Sequence, residues 1–541
     1  MNKKFNTITA LALSAMMCGA FAACGEKEPL PGQTVQIYVD GGGANAHFNS
    51  TPSMEYDKYA NPYPYNTLEK LAKEWNEQNT GYEIVIARSS LNNDRETMVP
   101  ALNQGTAPEI LFYLGTTIAE DMSKGWFVEL NDYMEKPNKY SKEGEKGSVK
   151  WKDVYGSEEY ATTLAPNGKK YTAEVEINPI GIVYNKTLFA QAGITETPET
   201  FYDFMTAQDK VNAYAQSVNR ADNVAGDYIC PYFPYYPWYD GSVLESSLYG
   251  EYLQYYDVLN VDGVIDAQET ARAYMTKDSK GTRLYAPNDA RAKEKARLVK
   301  VMTKYYPANF EGYYAEQQFT AGNLAMMEAS GGTIRKIVDA VDDEFEVGVF
   351  SYPILTQQPE NEAESEYYTK YNVDRHVRRG LSGYSSGWAV TNSAIAKGEA
   401  VVEKCVDFLQ FVTCYTNNDR MINDKGFSIP LSGNSDYSYF ASLSADYQKD
   451  IQDPAAMAWG AVSPGSAMNK TYYDAAYLTR IEIIKATDQA TIDLKLSGLS
   501  QSLATAIRML MATMAKGNTL NQFVLPMPHL YLSIMKPMHP A

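Results

Sequence analysis

The chain has 541 residues, 45% of them hydrophobic, and a formal net charge of −18 at pH 7. So acidic a molecule repels phosphate backbones, and no basic patch with interleaved aromatics occurs, which excludes nucleic acid as a partner. Five Cys offer no even disulfide framework, and the length exceeds what one core supports and predicts at least two domains.

The N-terminus reads as an export leader. Lys3 and Lys4 precede an apolar run from Ile8 to Ala23, which is too short and wrongly flanked for a spanning helix. The run ends in Phe21-Ala22-Ala23-Cys24-Gly25, which resembles the bacterial lipobox, where the Cys is acylated and becomes the mature N-terminus. Phe21 stands where Leu is usual, and the rival Cys18 lacks a small residue before it. Residues 1–23 are therefore expected to be a signal peptide and 24–33 a tether lipidated at Cys24. The protein would then be an extracytoplasmic one, held at the cell membrane. The alternative is a plain cleaved signal with a leftover Cys.

Strands and helices then alternate. Thr34 to Val39 reads as a buried strand, and Gly41-Gly42-Gly43 opens a loop rich in Tyr, Pro and Asn. Tyr65 to Asn79 has helical spacing, with Leu68, Leu71, Ala72 and Trp75 on one face. Glu83 to Ala87 is a second strand, Glu96 to Gln104 a second helix closed by Gly105, and Ile110 to Leu114 a third strand. This order predicts an α/β sheet with mainly parallel strands and a ligand cleft at their carboxyl ends, near residues 40–66 and 113–117.

Five segments, in order, resemble the family 1 extracellular solute-binding proteins of carbohydrate ABC transporters, the relatives of maltose-binding protein. They are Leu102 to Ile110 (LNQGTAPEI), Gly125 to Tyr133 (GWFVELNDY), and Ile180 to Phe189 (IGIVYNKTLF) with Ala192-Gly193-Ile194 and Pro198 to Phe201 (PETF). Phe319 to Met327 (FTAGNLAMM) and Gly387 to Val390 (GWAV) with the helix Glu399 to Thr413 complete the set. The resemblance implies two α/β lobes joined by crossing strands, with a solute held between them and closure by a hinge. Crossovers would fall near 171–179, 381–388 and 426–431. Lobe one would comprise 34–173 with 384–427, and lobe two 174–383 with 428–541. The implied partners are a carbohydrate, the permease subunits of an ABC importer and the membrane through the lipid anchor, with the protein itself a monomer.

Candidate ligand residues cluster in Cys230 to Gly241 (CPYFPYYPWYDG), where aromatic rings sit beside a carboxylate and three prolines stiffen the chain. Sugar rings have apolar C–H faces ringed by hydroxyls, so flat rings beside carboxylates and Arg suit them. Trp238, Tyr239 and Asp240 lead, because they resemble the family's aromatic segment before a Gly, and Tyr236 is a further candidate. Asp40 and Tyr113 follow strands, Glu328 precedes Ser330-Gly331-Gly332, Trp388 sits at a crossover that the resemblance implies, and Arg379 is a further candidate. Trp459 lies in a late loop where the resemblance implies another sugar contact.

Catalytic readings fare worse. Gly383-Tyr384-Ser385-Ser386-Gly387 fits G-x-S-x-G, but a strand follows where a nucleophile elbow needs a helix. Four His, none paired at helical spacing, argue against zinc, and the triple Gly at 41–43 lacks a P-loop Lys. Asn260, Asp262, Asp266 and Glu269 occupy oxygen-ligand positions of an EF-hand loop, yet Val258 stands at position one. A structural calcium and a capped turn both remain open there, and no cofactor is required. The tail Val524 to Ala541 matches nothing in the family. The resulting expectation is a non-enzymatic receptor that captures an oligosaccharide for import. A glycan-degrading enzyme, or a receptor for a peptide or another polyol, is the alternative.

Overall fold

The computed structural model describes residues 33–41, 67–87, 95–113, 117–156, 160, 163–165, 167–221, 228–234, 237, 239–252, 255, 267–276, 283, 285–341, 344–373, 387–425, 428–434, 442–452 and 470–516. Its strands are β1 (Val35–Asp40), β2 (Tyr82–Ala87), β3 (Ile110–Tyr113), β4 (Thr172–Glu174), β5 (Glu176–Ile177), β6 (Ile180–Asn185), β7 (Cys230–Pro234), β8 (Leu324–Ser330), β9 (Val347–Phe350), β10 (Gly387–Val390) and β11 (Ile429–Pro430). The helices that bear on the sites are α1 (Thr67–Gln78), α2 (Arg95–Gln104), α3 (Lys186–Gln191), α4 (Phe201–Ser217), α5 (Ala267–Met275), α6 (Ala290–Met302), α7 (Glu399–Thr413), α8 (Lys470–Lys485) and α9 (Gln489–Lys516). The chain divides into two compact units, each assembled from separate stretches: 1–112, 126–128 and 388–412 form the first, and 113–125, 129–387 and 413–541 the second.

In the first unit β2, β1, β3 and β10 lie side by side in that order. β1 runs parallel to β2, from Val35 opposite Tyr82 to Asp40 opposite Ala87, and parallel to β3. α1 buries Leu68, Leu71, Ala72 and Trp75, the face that the spacing predicts. Burying each large side chain there contributes about 1.5–3 kcal/mol. The Trp75 indole N–H donates to Asp407 on α7 at 3.2 Å, and its ring meets Phe408 edge-on. Trp126 is buried and donates to Asn103 at 3.2 Å. α2 ends where the resemblance places its first motif: Gly105 takes φ +65° and Thr106 N–H returns to the Ala101 carbonyl.

The second unit holds a sheet in the order β7-β8-β6-β9. β7 and β8 are parallel, while β6 runs antiparallel to both β8 and β9. Local capping explains the most specific sequence motif. Asn185 accepts from the Leu188 N–H and starts α3. Thr200 and Asp203 exchange bonds in a capping box that starts α4. β5 and β11 pair antiparallel, Ile177 opposite Ile429. A Cβ on Gly387 would lie 2.5 Å from the Ala173 carbonyl oxygen, so backbone approach accounts for that glycine of the G-x-S-x-G match. Ser385 and Ser386 lie outside the described residues.

Near the C-terminus, α8 and α9 form a helical hairpin against α6, around Ala296, Ile483, Ala486, Ile492 and Leu496. Lys300 on α6 donates to the Ile484 and Ala486 carbonyls at 2.8 Å each, satisfying the end of α8. Cys230, Cys405 and Cys414 are free thiols, all buried. Among the described residues no helix is long and apolar enough to cross a membrane.

Candidate ligand-binding site

Glu328 sits in the middle of the apolar strand β8 and has no solvent exposure. Three donors converge on its carboxyl group: the Tyr352 hydroxyl at 2.7 Å, the Tyr239 backbone N–H at 2.9 Å and the Tyr232 hydroxyl at 3.2 Å. Burial pushes this carboxyl up to about 8, the tyrosine hydroxyls pull it back, and the charge of Asp240 raises it further. It therefore holds a proton across most of the neutral range. The sequence pattern explains the placement, because β7 and β8 pair in parallel with Pro234 opposite Glu328. β7 therefore ends beside Glu328, and the Tyr239 amide bonds to its carboxyl.

Asp240 follows directly and opens a π-helical turn, Asp240–Glu245. Its Oδ2 accepts from the Arg480 Nε–H, and the two side chains are only 6% and 14% exposed. Asp240 Oδ1 is buried without a hydrogen-bond partner among the described residues, and the buried Tyr306 hydroxyl interacts with the Arg480 guanidinium. The Tyr239 ring lies parallel to Phe201 at 6.4 Å, and its hydroxyl donates to the Pro353 carbonyl at 2.7 Å. Tyr239, Asp240 and Glu328, named separately from the sequence, thus belong to one cluster. Arg480, Tyr232, Tyr306 and Tyr352 join them without having been anticipated. Arg480 carries the weakest advance signal, a lone basic side chain in the middle of α8, in a stretch where the family resemblance has thinned.

The other candidates are placed elsewhere. Asp40 and Trp388 are buried together in the first unit, with the Trp388 indole N–H on the Asp40 carbonyl at 2.8 Å. Tyr113 is buried, and its hydroxyl bonds with Thr117 at 2.8 Å and Asp121 at 2.9 Å. Glu269 is buried on α5. Cys24, Tyr236, Trp238, Arg379 and Trp459, and the calcium candidates Asn260, Asp262 and Asp266, lie outside the described residues.

A second buried charge pair lies next to β4. Lys170 is fully buried, bonded to Glu174 and Thr163, with the Tyr155 and Tyr160 rings 5.4 and 5.5 Å from its ammonium. Thr172 donates to the same carboxylate at 2.5 Å. Burial lowers the Lys170 ammonium from its ordinary value, partly offset by Glu174.

Comparison with known proteins follows the same lines. A family model described as "Bacterial extracellular solute-binding protein" matches residues 59–412. No curated protein matches the sequence significantly. Among solved structures, a chitin oligosaccharide binding protein is similar at TM-score 0.54 and 18% identity, covering 88% of this chain and 100% of its own. A family 1 extracellular solute-binding protein from Bifidobacterium longum subsp. infantis gives 0.53 and 14% over 88% and 100%. An ABC substrate-binding protein from Listeria monocytogenes in complex with cycloalternan gives 0.52 and 15% over 89% and 100%.

Proposed function

The chain belongs to the bacterial extracellular solute-binding proteins, and on that premise we propose that it captures a carbohydrate, an oligosaccharide in particular, and delivers it to an ABC importer. The match of residues 59–412 to the family carries this reading. The carbohydrate part is supported by the similar folds whose names specify sugars. Binding is the whole task. The buried Asp240 and Glu328 are held by Arg480 and by Tyr232, Tyr239 and Tyr352, an arrangement suited to fixing structure rather than to moving protons onto a substrate.

A thermal-shift screen against a panel of soluble glycans tests the reading, because a ligand of the folded state raises Tm. The ligand should be recovered chemically unchanged. Hydrolysis products that scale with protein concentration would move the assignment to a glycan-degrading enzyme. A response to peptides but to no glycan would move it to a peptide receptor.

The same reading includes a lipid anchor at Cys24 and a monomeric receptor. Cys24→Ala should shift the protein from the membrane fraction to the soluble fraction without altering ligand affinity. Continued fractionation with membranes would remove the anchor from the proposal.

A further inference from the structure

Residues 413–541 lie beyond the stretch that the family model matches, yet one of them reaches the cluster described above. Arg480 is on α8, and its guanidinium is paired with Asp240 in a nearly dry environment. An ion pair this buried is expensive to assemble and is not the natural way to fasten one helix to a domain; apolar side chains do that at lower cost. The helical hairpin already has such a fastening, in Ile483, Ile492 and Leu496 against Ala296 and in the Lys300 bonds to the end of α8. Arg480 therefore has work beyond docking the hairpin.

Its partner indicates what that work is. Asp240 is the residue after Tyr239, whose amide is held by Glu328. The two successive residues are held by different elements, one by strand β8 and the next by helix α8. Between them they fix the chain where the aromatic segment Cys230 to Gly241 passes into the π-helical turn. We propose that Arg480 is a positioning residue for the ligand site: by anchoring Asp240 it fixes the end of the aromatic segment, which makes the C-terminal hairpin part of the binding apparatus. This inference rests on the reading that the aromatic segment takes part in ligand binding.

Glu328 and Tyr232 face Asp240 from β8 and β7, with Tyr306 after α6, Cys230 at the start of β7 and Tyr352 after β9 around them; Arg480 is the cation among these groups. Without Arg480, the buried Asp240 carboxylate beside Glu328 loses its countercharge.

Hydrogen–deuterium exchange of the full chain, with and without glycan, provides the test. Arg480→Met should speed exchange of the peptide spanning Tyr239 to Glu245 by at least about ten-fold, equivalent to about 1.4 kcal/mol of local stability. Peptides of β1, β2 and α1 should be unchanged. Arg480→Lys should restore most of the protection, and Arg480→Met should weaken binding of any glycan found by the screen by a comparable factor. Asp240→Asn should loosen the same peptide, and adding Arg480→Met to it should add little. Asp240→Asn retains the guanidinium and supplies the answer should Arg480→Met fail to fold. Unaltered exchange in the Tyr239–Glu245 peptide, a rise spread evenly over the chain, or local loosening without any loss of glycan affinity would overturn the proposal. The exchange readout needs no ligand, so a glycan screen without a hit would overturn the carbohydrate reading and leave the Arg480 result standing.

Discussion

Trp388 and Asp40 are 348 positions apart, and the indole N–H of the first donates to the backbone carbonyl of the second at 2.8 Å. The bond reaches across β3, where Phe112 meets the Trp388 ring edge-on at 6.4 Å. A buried carbonyl that loses its donor costs about 1–3 kcal/mol. Trp388→Phe, which retains the ring and removes the N–H, should lower stability by that amount in denaturant melts. Ligand affinity should be unchanged once the folded fraction is accounted for.

Glu328 makes stability depend on pH in an unusual direction for a carboxylate. Burial places its folded-state value at about 8, above the ordinary 4.5. The folded protein thus keeps a proton that the unfolded chain has released. The resulting stability is fully present below the ordinary value and is lost as pH rises toward 8, at no more than about 1.4 kcal/mol per unit. Melting temperatures measured from about pH 5 to about pH 9 should fall across this window. In Glu328→Gln, an isostere of the protonated form, the slope should flatten; an identical slope would assign the effect to other groups.

Lys170 and Glu174 form the opposite kind of case, a buried pair whose members depend on each other. Glu174→Gln leaves a buried ammonium without its countercharge and should cost about 3–5 kcal/mol. Lys170→Met with Glu174→Gln should recover much of that loss, since no uncompensated charge remains. Chemical denaturation of the two single variants and the double variant gives the coupling directly.

Two tryptophans separate binding from stability. Trp238 is proposed as a stacking surface for a sugar ring, and truncation of a central aromatic anchor typically costs about 2 kcal/mol or more, or about thirty-fold in affinity. Trp126 is 4% exposed, with its N–H on Asn103. Its truncation should cost about 3–5 kcal/mol of folding stability instead. Calorimetric titration beside melting curves distinguishes the two, and unchanged affinity in Trp238→Ala would remove that ring from the site.

The sequence was most legible where interactions are local. Asn185 capping α3, the Thr200–Asp203 box and the turn at Gly105 involve residues a few positions apart. Their spacing survives as motifs, and those motifs carry the family resemblance. The apolar face of α1 was legible for the same reason. The cluster around Glu328 was not, since its order comes from partners 24, 89 and 96 positions away. Glu328 reads in sequence as a polar residue before a turn, while the parallel pairing of β7 and β8 buries it in the sheet. Arg480 is still more remote, 240 positions from Asp240, and nothing in its own segment announces the pairing.

The three buried thiols carry a consequence for where such a protein can work. The thiolate is the form that reacts with oxidants and disulfides, and burial pushes Cys230 up to about 12 and raises Cys405 and Cys414 as well. At neutral pH the thiolate fraction of Cys230 is on the order of one in a hundred thousand, and the sulfur is out of contact with solvent. These three thiols therefore make the folded state indifferent to the redox poise of its surroundings. They need no oxidase to complete the structure, and no reductant can undo it through them.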